Sequence, residues 1–275
     1  MAQVLLGTYT YAEFLACAVT FVPIMGVSHF RHRKDPTQRM PGRWMRRFGR
    51  FTSSLTPVWR FSVDGTPPAD ILERPYVVVS NHESTADPFL LSFLPWDMRW
   101  VAKEELFKIP LIGQMMHFGG DIPLKRGARD SVERMMDECK KTLAGGLPVM
   151  LFPEGTRSPN GELLPFKNGA FQLAIEAGVP VLPVALAGTR NCRPKGSKWF
   201  GRARALARVL EPVDTRGMTG ADVERLRDSV RDRIRGALPA VRAAVGVPSD
   251  GVAPLEKDEN DDQHRHHHRE QHDWR

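Results

Sequence analysis

Residues 76–88 read YVVVSNHESTADP, and the fold turns on this stretch. A β-branched apolar run of strand length with no polar alternation is expected where both faces of a strand are covered. The run breaks into Asn81, His82, Glu83, Ser84, Thr85, Ala86 and Asp87, with a helix expected to open near Asp87. In an α/β sheet, ligands bind beyond the carboxyl ends of the strands, so these residues stand where chemistry is expected. Asp87 lies five positions after His82. If the chain folds back, the carboxylate meets one imidazole nitrogen and leaves the other free to take a proton. A structural helix cap at Asp87 is the competing reading.

Outward from this stretch the pattern repeats. Strands are expected at residues 99–102, 121–124, 148–152 (PVMLF), 179–185 (VPVLPVA) and 204–210. Between them, residues 130–143 align Val132, Met135, Met136, Cys139 and Leu143 on one helical stripe. Thr219 and Asp222 form a capping box ahead of Val223, Leu226, Val230 and Ile234. Alternating strands and helices predict an α/β domain with a largely parallel sheet over residues 61–245.

The 275 residues are 41% hydrophobic and 26% charged, enough for a substantial core and incompatible with wholesale disorder. A mean hydropathy of -0.34 excludes a multi-pass membrane bundle. Cys17, Cys139 and Cys192 are too scattered for a disulfide framework or a zinc site, which points to a reducing compartment. Gly and Pro, 23 and 22 residues, imply many tight turns, without any internal repeat.

Residues 1–60 carry nine basic side chains against Glu13 and Asp35, which accounts for the whole net charge of +7. Within them, residues 14–27 (FLACAVTFVPIMGV) are uncharged, short for a span but suited to an interfacial or re-entrant anchor. No Lys or Arg precedes residue 31, so the positive start of a signal peptide is missing. Over residues 42–59, Trp44, Met45, Phe48, Phe51, Leu55, Val58 and Trp59 recur at helical spacing among Arg43, Arg46, Arg47 and Arg50. A basic amphipathic helix follows, either packed on the domain or set against anionic headgroups. The expected organisation is a membrane-associating segment at 1–60, a catalytic domain at 61–245 held on the cytoplasmic face by the cations at 31–50, and a disordered acidic, His-rich tail at 246–275. The Arg-rich segment carries no recognisable nucleic-acid-binding motif.

Phe152, Pro153, Glu154, Gly155, Thr156, Arg157 and Ser158 form a second constellation after an apolar strand. Gly155 permits close backbone approach, Arg157 offers a planar fork for a phosphate or carboxylate, and Glu154 can anchor that Arg or a ligand hydroxyl. Lys103, Lys125 and Arg126 also sit at or just past strand ends.

Asn81-His82-x-Ser84-x-x-Asp87, the stretch from Lys103 to Arg126, Phe152-Pro153-Glu154-Gly155-Thr156-Arg157-Ser158 and the strand Val179-Pro180-Val181-Leu182-Pro183-Val184 follow one another as four family blocks do. Across residues 55–215 the chain resembles the glycerophospholipid acyltransferases, most closely the lysophosphatidic acid acyltransferases. The second block departs, reading Asp121-Ile122-Pro123-Leu124-Lys125-Arg126 where the family more often has an aromatic or aliphatic residue, Ile, Asp and Arg. The resemblance implies a glycerol-3-phosphate acyltransferase-like αβα domain. It also implies acyl transfer from acyl-CoA or acyl carrier protein to the sn-2 hydroxyl of lysophosphatidic acid, without metal or organic cofactor. Glycerol-3-phosphate, another lysolipid or a catalytically silent lipid-binding role are the alternatives. In the resembling scheme His82 is the base and Asp87 its orienting partner. Lys103, Arg126 and Arg157 contact the phosphate, Glu154, Gly155 and Thr156 shape its pocket, and backbone N–H groups over residues 81–84 receive the oxyanion.

Overall fold

The computed structural model describes residues 2–193 and 200–248. The chain forms α1 (Ala2–Arg31), α2 (Arg39–Leu55), β1 (Trp59–Asp64), β2 (Val77–Ser80), α3 (Asp87–Leu91), β3 (Arg99–Lys103) and α4 (Ile112–Gly119). It continues through β4 (Ile122–Leu124), α5 (Arg129–Ala144), β5 (Val149–Leu151), α6 (Gly169–Ala177), β6 (Val181–Ala187), β7 (Ala203–Val209) and α7 (Val223–Val245). Among the described residues one seven-stranded sheet has the order β1-β7-β6-β2-β5-β3-β4. Strands β6, β2, β5, β3 and β4 are mutually parallel, whereas β7 runs antiparallel to β6 with β1 parallel to it at the edge.

Every residue of β2 is buried, as its unbroken apolar run requires. On one face Val77, Val79, Val149 and Val181 pack under α5, α6 and α7 through Met135, Phe171, Leu173, Val230 and Ile234. On the other, Val78, Met150 and Leu182 meet Tyr76, Leu90, Leu91, Trp96 and Trp100. The result is the expected α/β architecture, with the β2, β5, β3 and β4 carboxyl ends on a common edge. The Thr219–Asp222 capping box forms as expected, with the Thr219 N–H donating to Asp222 at 2.8 Å ahead of α7.

The N-terminal 60 residues are not a separate unit. Strand β1 begins at Trp59 and pairs with β7, and the amphipathic helix runs from Arg39 to Leu55 rather than over 42–59. Its apolar stripe turns inward: Phe48 is buried against Cys17, Phe21 and Met25 of α1 and Met115 of α4. Arg43 and Arg46 are both consumed by Asp97, at 2.5 and 2.9 Å, so two of the four cations expected to face headgroups are paired within the fold. Buried Arg99 ties the turn between α1 and α2 to the sheet by donating to the Thr37 carbonyl at 2.6 Å.

Helix α1 is apolar on both sides. One stripe packs on α2 and α4, while Val4, Leu5, Leu15, Val19, Val27 and Phe30 remain exposed. Its stretch Val4–Arg31 is long and apolar enough to cross a bilayer by length and composition. The expected His-rich tail, from residue 249 onward, lies outside the described residues.

Candidate active site

At the end of β2 the chain turns over its own backbone and is fixed there by side chains. The buried Asn81 amide extends the pairing with β6 beyond the strand, donating to the Leu186 carbonyl and accepting from the Leu186 N–H, both at 2.9 Å. Asp87 opens α3 and is fully buried, yet its carboxylate does not cap that helix. Oδ2 accepts from His82 Nδ1 at 2.7 Å, from the Glu83 N–H at 2.8 Å and from the Ser84 N–H at 3.1 Å. Oδ1 accepts from the Thr189 hydroxyl. A carboxylate is acceptor-only, so Nδ1 carries the imidazole proton and Nε2 presents its lone pair. The ring stacks on Phe152 with centroids 4.0 Å apart, and its side chain is 14% exposed, enough to leave one edge open.

The loop after β5 closes around the same imidazole. Glu154 Oε1 accepts from the His82 N–H at 2.7 Å, Oε2 accepts from the Leu164 N–H at 3.2 Å, and the Ser158 N–H donates to the His82 carbonyl at 2.8 Å. Glu154 is therefore spent on bracing two backbone segments; it neither anchors Arg157 nor turns outward. Burial pushes its carboxyl up to about 7. Gly155 sits at φ 68°, a conformation that favours glycine, and an added Cβ would press on the Lys167 side chain at 3.0 Å. Lys167 thus lies over this turn, a cation that the sequence reading missed because no strand precedes it.

Register places the cations along the same edge. Strand β3 lies beside β5, with Trp100 opposite Met150, and Lys103 of β3 is opposite Leu124 of β4. With about 4.8 Å per strand, Lys103 emerges roughly 10 Å from the β2 end, and Lys125 and Arg126 about 14 Å away. Thr156, Arg157, Lys125 and Arg126 are exposed, and the guanidinium groups of Arg157 and Arg126 have no partner among the described residues. Lys103 is held 3.3 Å from Glu105. Asp87 thus meets the His82 imidazole, and Gly155, Thr156 and Arg157 lie on the loop that Glu154 and Ser158 tie to the His82 backbone. Lys103 and Arg126 flank them from the neighbouring strands.

The expected oxyanion donors are otherwise engaged. The N–H groups of His82, Glu83 and Ser84 already donate to Glu154 and Asp87, so they do not form an oxyanion hole. Thr189, 102 residues from Asp87, grips its carboxylate although no local sequence signal marks it. Ser84 is buried with its hydroxyl accepting from the Ala86 N–H at 3.2 Å, so it does not face His82 as a nucleophile. Beneath the pair lies buried Glu83, whose carboxylate accepts from the Gly188 N–H at 3.1 Å. Burial, and next the Asp87 charge, push it up to about 8.

An imidazole with a fixed tautomer, an open Nε2 and unpaired cations nearby can take a proton from a hydroxyl on a phosphorylated molecule. Comparison with known proteins points the same way. The acyltransferase family profile matches residues 61–187, which contain every expected site residue and stop two residues short of Thr189. The chain is 37% identical over 164 residues to human 1-acyl-sn-glycerol-3-phosphate acyltransferase beta, covering 59% of each chain. It is 33% identical over 208 residues to a chloroplastic 1-acyl-sn-glycerol-3-phosphate acyltransferase of Brassica napus, covering 72% of this chain and 58% of that one. The chain therefore spans less than two thirds of the length of these relatives. The crystal structure of the 1-acyl-sn-glycerophosphate (LPA) acyltransferase of Thermotoga maritima superimposes with a TM-score of 0.71 at 29% identity, over 86% of this chain and 94% of that one. Residues 61–187, which hold His82 and Asp87, thus match the acyltransferase family, and the chain is similar to these acyltransferases.

Proposed function

We propose that this protein transfers a fatty acyl group from a thioester, on coenzyme A or acyl carrier protein, to the sn-2 hydroxyl of lysophosphatidic acid, giving phosphatidic acid. The observation that carries the reading is the 2.7 Å contact between His82 Nδ1 and a fully buried Asp87, with Arg157 unpaired on the adjoining loop. The names of the relatives supply the acceptor.

His82 Nε2 takes the hydroxyl proton as the alcohol oxygen attacks the thioester carbonyl. Asp87 stabilises the imidazolium that results. The tetrahedral adduct collapses by breaking the C–S bond, and the imidazolium returns its proton to the departing sulfur. Direct attack fits the surroundings, since Ser84 faces away and burial holds the Cys192 thiol far above its ordinary range. The N–H groups of Thr156 and Arg157, which follow the Gly155 turn and have no acceptor among the described residues, are the proposed oxyanion donors. Arg157, Lys103 and Arg126 receive the acceptor phosphate, with Gly155 and Thr156 shaping the approach.

Both lipid substrates partition into bilayers, and the exposed apolar stripe of α1 is suited to that surface. The cations between residues 31 and 50 other than Arg43 and Arg46, which Asp97 holds, favour the cytoplasmic leaflet. The test is to incubate purified full-length protein with labelled acyl-CoA or acyl carrier protein and, separately, lysophosphatidic acid, glycerol-3-phosphate and lysophosphatidylcholine. Phosphatidic acid is the expected dominant product. Faster transfer to glycerol-3-phosphate or lysophosphatidylcholine would replace the acceptor, and no transfer to any would leave a lipid-binding role.

A further inference from the structure

Away from the cations assigned to the acceptor, a cavity of about 710 Å³ lies at the β1 edge of the sheet, lined by Leu6, Pro57, Val58, Ala203, Val245 and three arginines, Arg60, Arg202 and Arg204. All three guanidinium groups belong to exposed residues, and none has a carboxylate partner among the described residues. Arg60 and Arg204 are direct register neighbours in the β1–β7 ladder. Like charges at neighbouring ladder positions are destabilising. Four residues along the same ladder, Asp64 and Arg208 are also register partners and form an ion pair at 2.6 Å. The ribbon therefore neutralises one pair and leaves the other doubly positive. Alternation along β7 sends Ala205 and Ala207 to the Trp96 side and Leu206 to the α7 side, so Arg202 and Arg204 share the α7 side with the cavity.

We propose that this cavity is a binding site for the phosphate headgroup of an anionic phospholipid, separate from the site of the reacting acceptor. Three guanidinium groups without a carboxylate partner among the described residues, of which only Arg60 is engaged, through Nη1 to the Pro57 and Trp59 carbonyls at 3.3 and 3.4 Å, suit a phosphodiester, and Leu6, Val58 and Val245 suit the glycerol and first methylenes of its chains. The occupant is a lipid because the wall at Leu6 is α1 itself, where exposed Val4 and Leu5 begin the apolar stripe. A headgroup here would hold the β1 edge against an anionic leaflet. The assignment rests on the reading that the outer face of α1 meets the bilayer.

The test is flotation of the full-length protein with vesicles of phosphatidylcholine alone or mixed with phosphatidylglycerol. Arg60→Gln, Arg202→Gln and Arg204→Gln together should reduce the preference for anionic vesicles on the order of a hundredfold, with binding to neutral vesicles unchanged. Arg202→Gln alone, at an exposed position preceding β7, gives a smaller loss in the same direction if the triple variant does not fold. An unchanged preference overturns the site. A raised KM for acyl-CoA without loss of vesicle preference assigns the arginines to the donor phosphates and also overturns it. So does an anionic preference that appears only after residues 249–275 are removed, since the acid-rich sequence at 256–262 would then be the occupant. Leu15→Glu with Val19→Glu tests the underlying reading separately: if neutral-vesicle binding survives that pair, the bilayer contact of α1 fails whatever the arginines do.

Discussion

The two halves of the active edge are built in opposite ways. The loop from Asn81 to Asp87 is fastened at nearly every polar atom: the Asp87 carboxylate alone accepts from His82, Glu83, Ser84 and Thr189. The cationic rim is fastened hardly at all, with Arg157 and Arg126 exposed and unpaired. A base must meet one reacting proton in one geometry, so its supports are set in advance. Cations that grip a headgroup stay hydrated until it arrives, and long side chains adjust to it. Substitutions in the loop should therefore lower kcat, and those in the rim should raise KM with kcat little changed.

The largest expected effect is that of Asp87→Asn, which keeps the volume but offers the wrong partner to Nδ1; kcat should fall on the order of 10³–10⁴-fold. A fall confined to KM would erase the distinction between the halves. Arg157→Gln should raise the KM for lysophosphatidic acid about tenfold to a hundredfold, as for a lost charge-assisted contact, with kcat nearly unchanged. Arg126→Gln, one strand beyond Lys103, should raise it by less, and a larger effect than at Arg157 would move the headgroup toward β4. Thr189→Val should cost about 1–3 kcal/mol in urea unfolding by stripping a buried carboxylate of a donor. It should lower kcat rather than raise KM, in keeping with a residue that acts through Asp87.

A further effect, on stability rather than on kcat or KM, concerns pH. The Glu83 carboxyl, ordinarily near 4.5, is raised to about 8 in the fold, so the folded chain binds the proton more tightly than the unfolded one between those values. That stabilisation is complete below the unfolded pKa and fades as pH rises toward 8. Glu83→Gln retains an acceptor for the Gly188 N–H and should flatten the fall of the urea midpoint over this range. An unchanged slope would assign it to other groups.

The strand and loop at 76–87 were legible because a doubly buried strand needs an unbroken apolar run, and the polar residues after it could only be a turn. The capping box at Thr219 and the stripe on α5 were local patterns of the same kind. Strand β1 was not legible: WRFSVD mixes charges with apolar residues, as an edge strand can, and its pairing with β7 spans 144 positions at Trp59 and Ala203. Nor did the sequence disclose that Asp97 would draw Arg43 and Arg46 inward, or that Thr189 would reach Asp87. Each depends on partners brought together only by the tertiary fold. The loss of the expected oxyanion donors has the same origin, since hydrogen-bond accounting requires the acceptors to be in place.

The tautomer of His82 is the most direct point of attack. Nitrogen-15 spectra of the imidazoles, with the His82 signals assigned by their absence in His82→Ala, should show Nδ1 protonated and Nε2 free in the pH range of activity, and the Nδ1 proton should shift in Asp87→Asn. A His82 that carries its proton on Nε2 with Nδ1 free would contradict the account, because the nitrogen facing the substrate would then have no lone pair to offer.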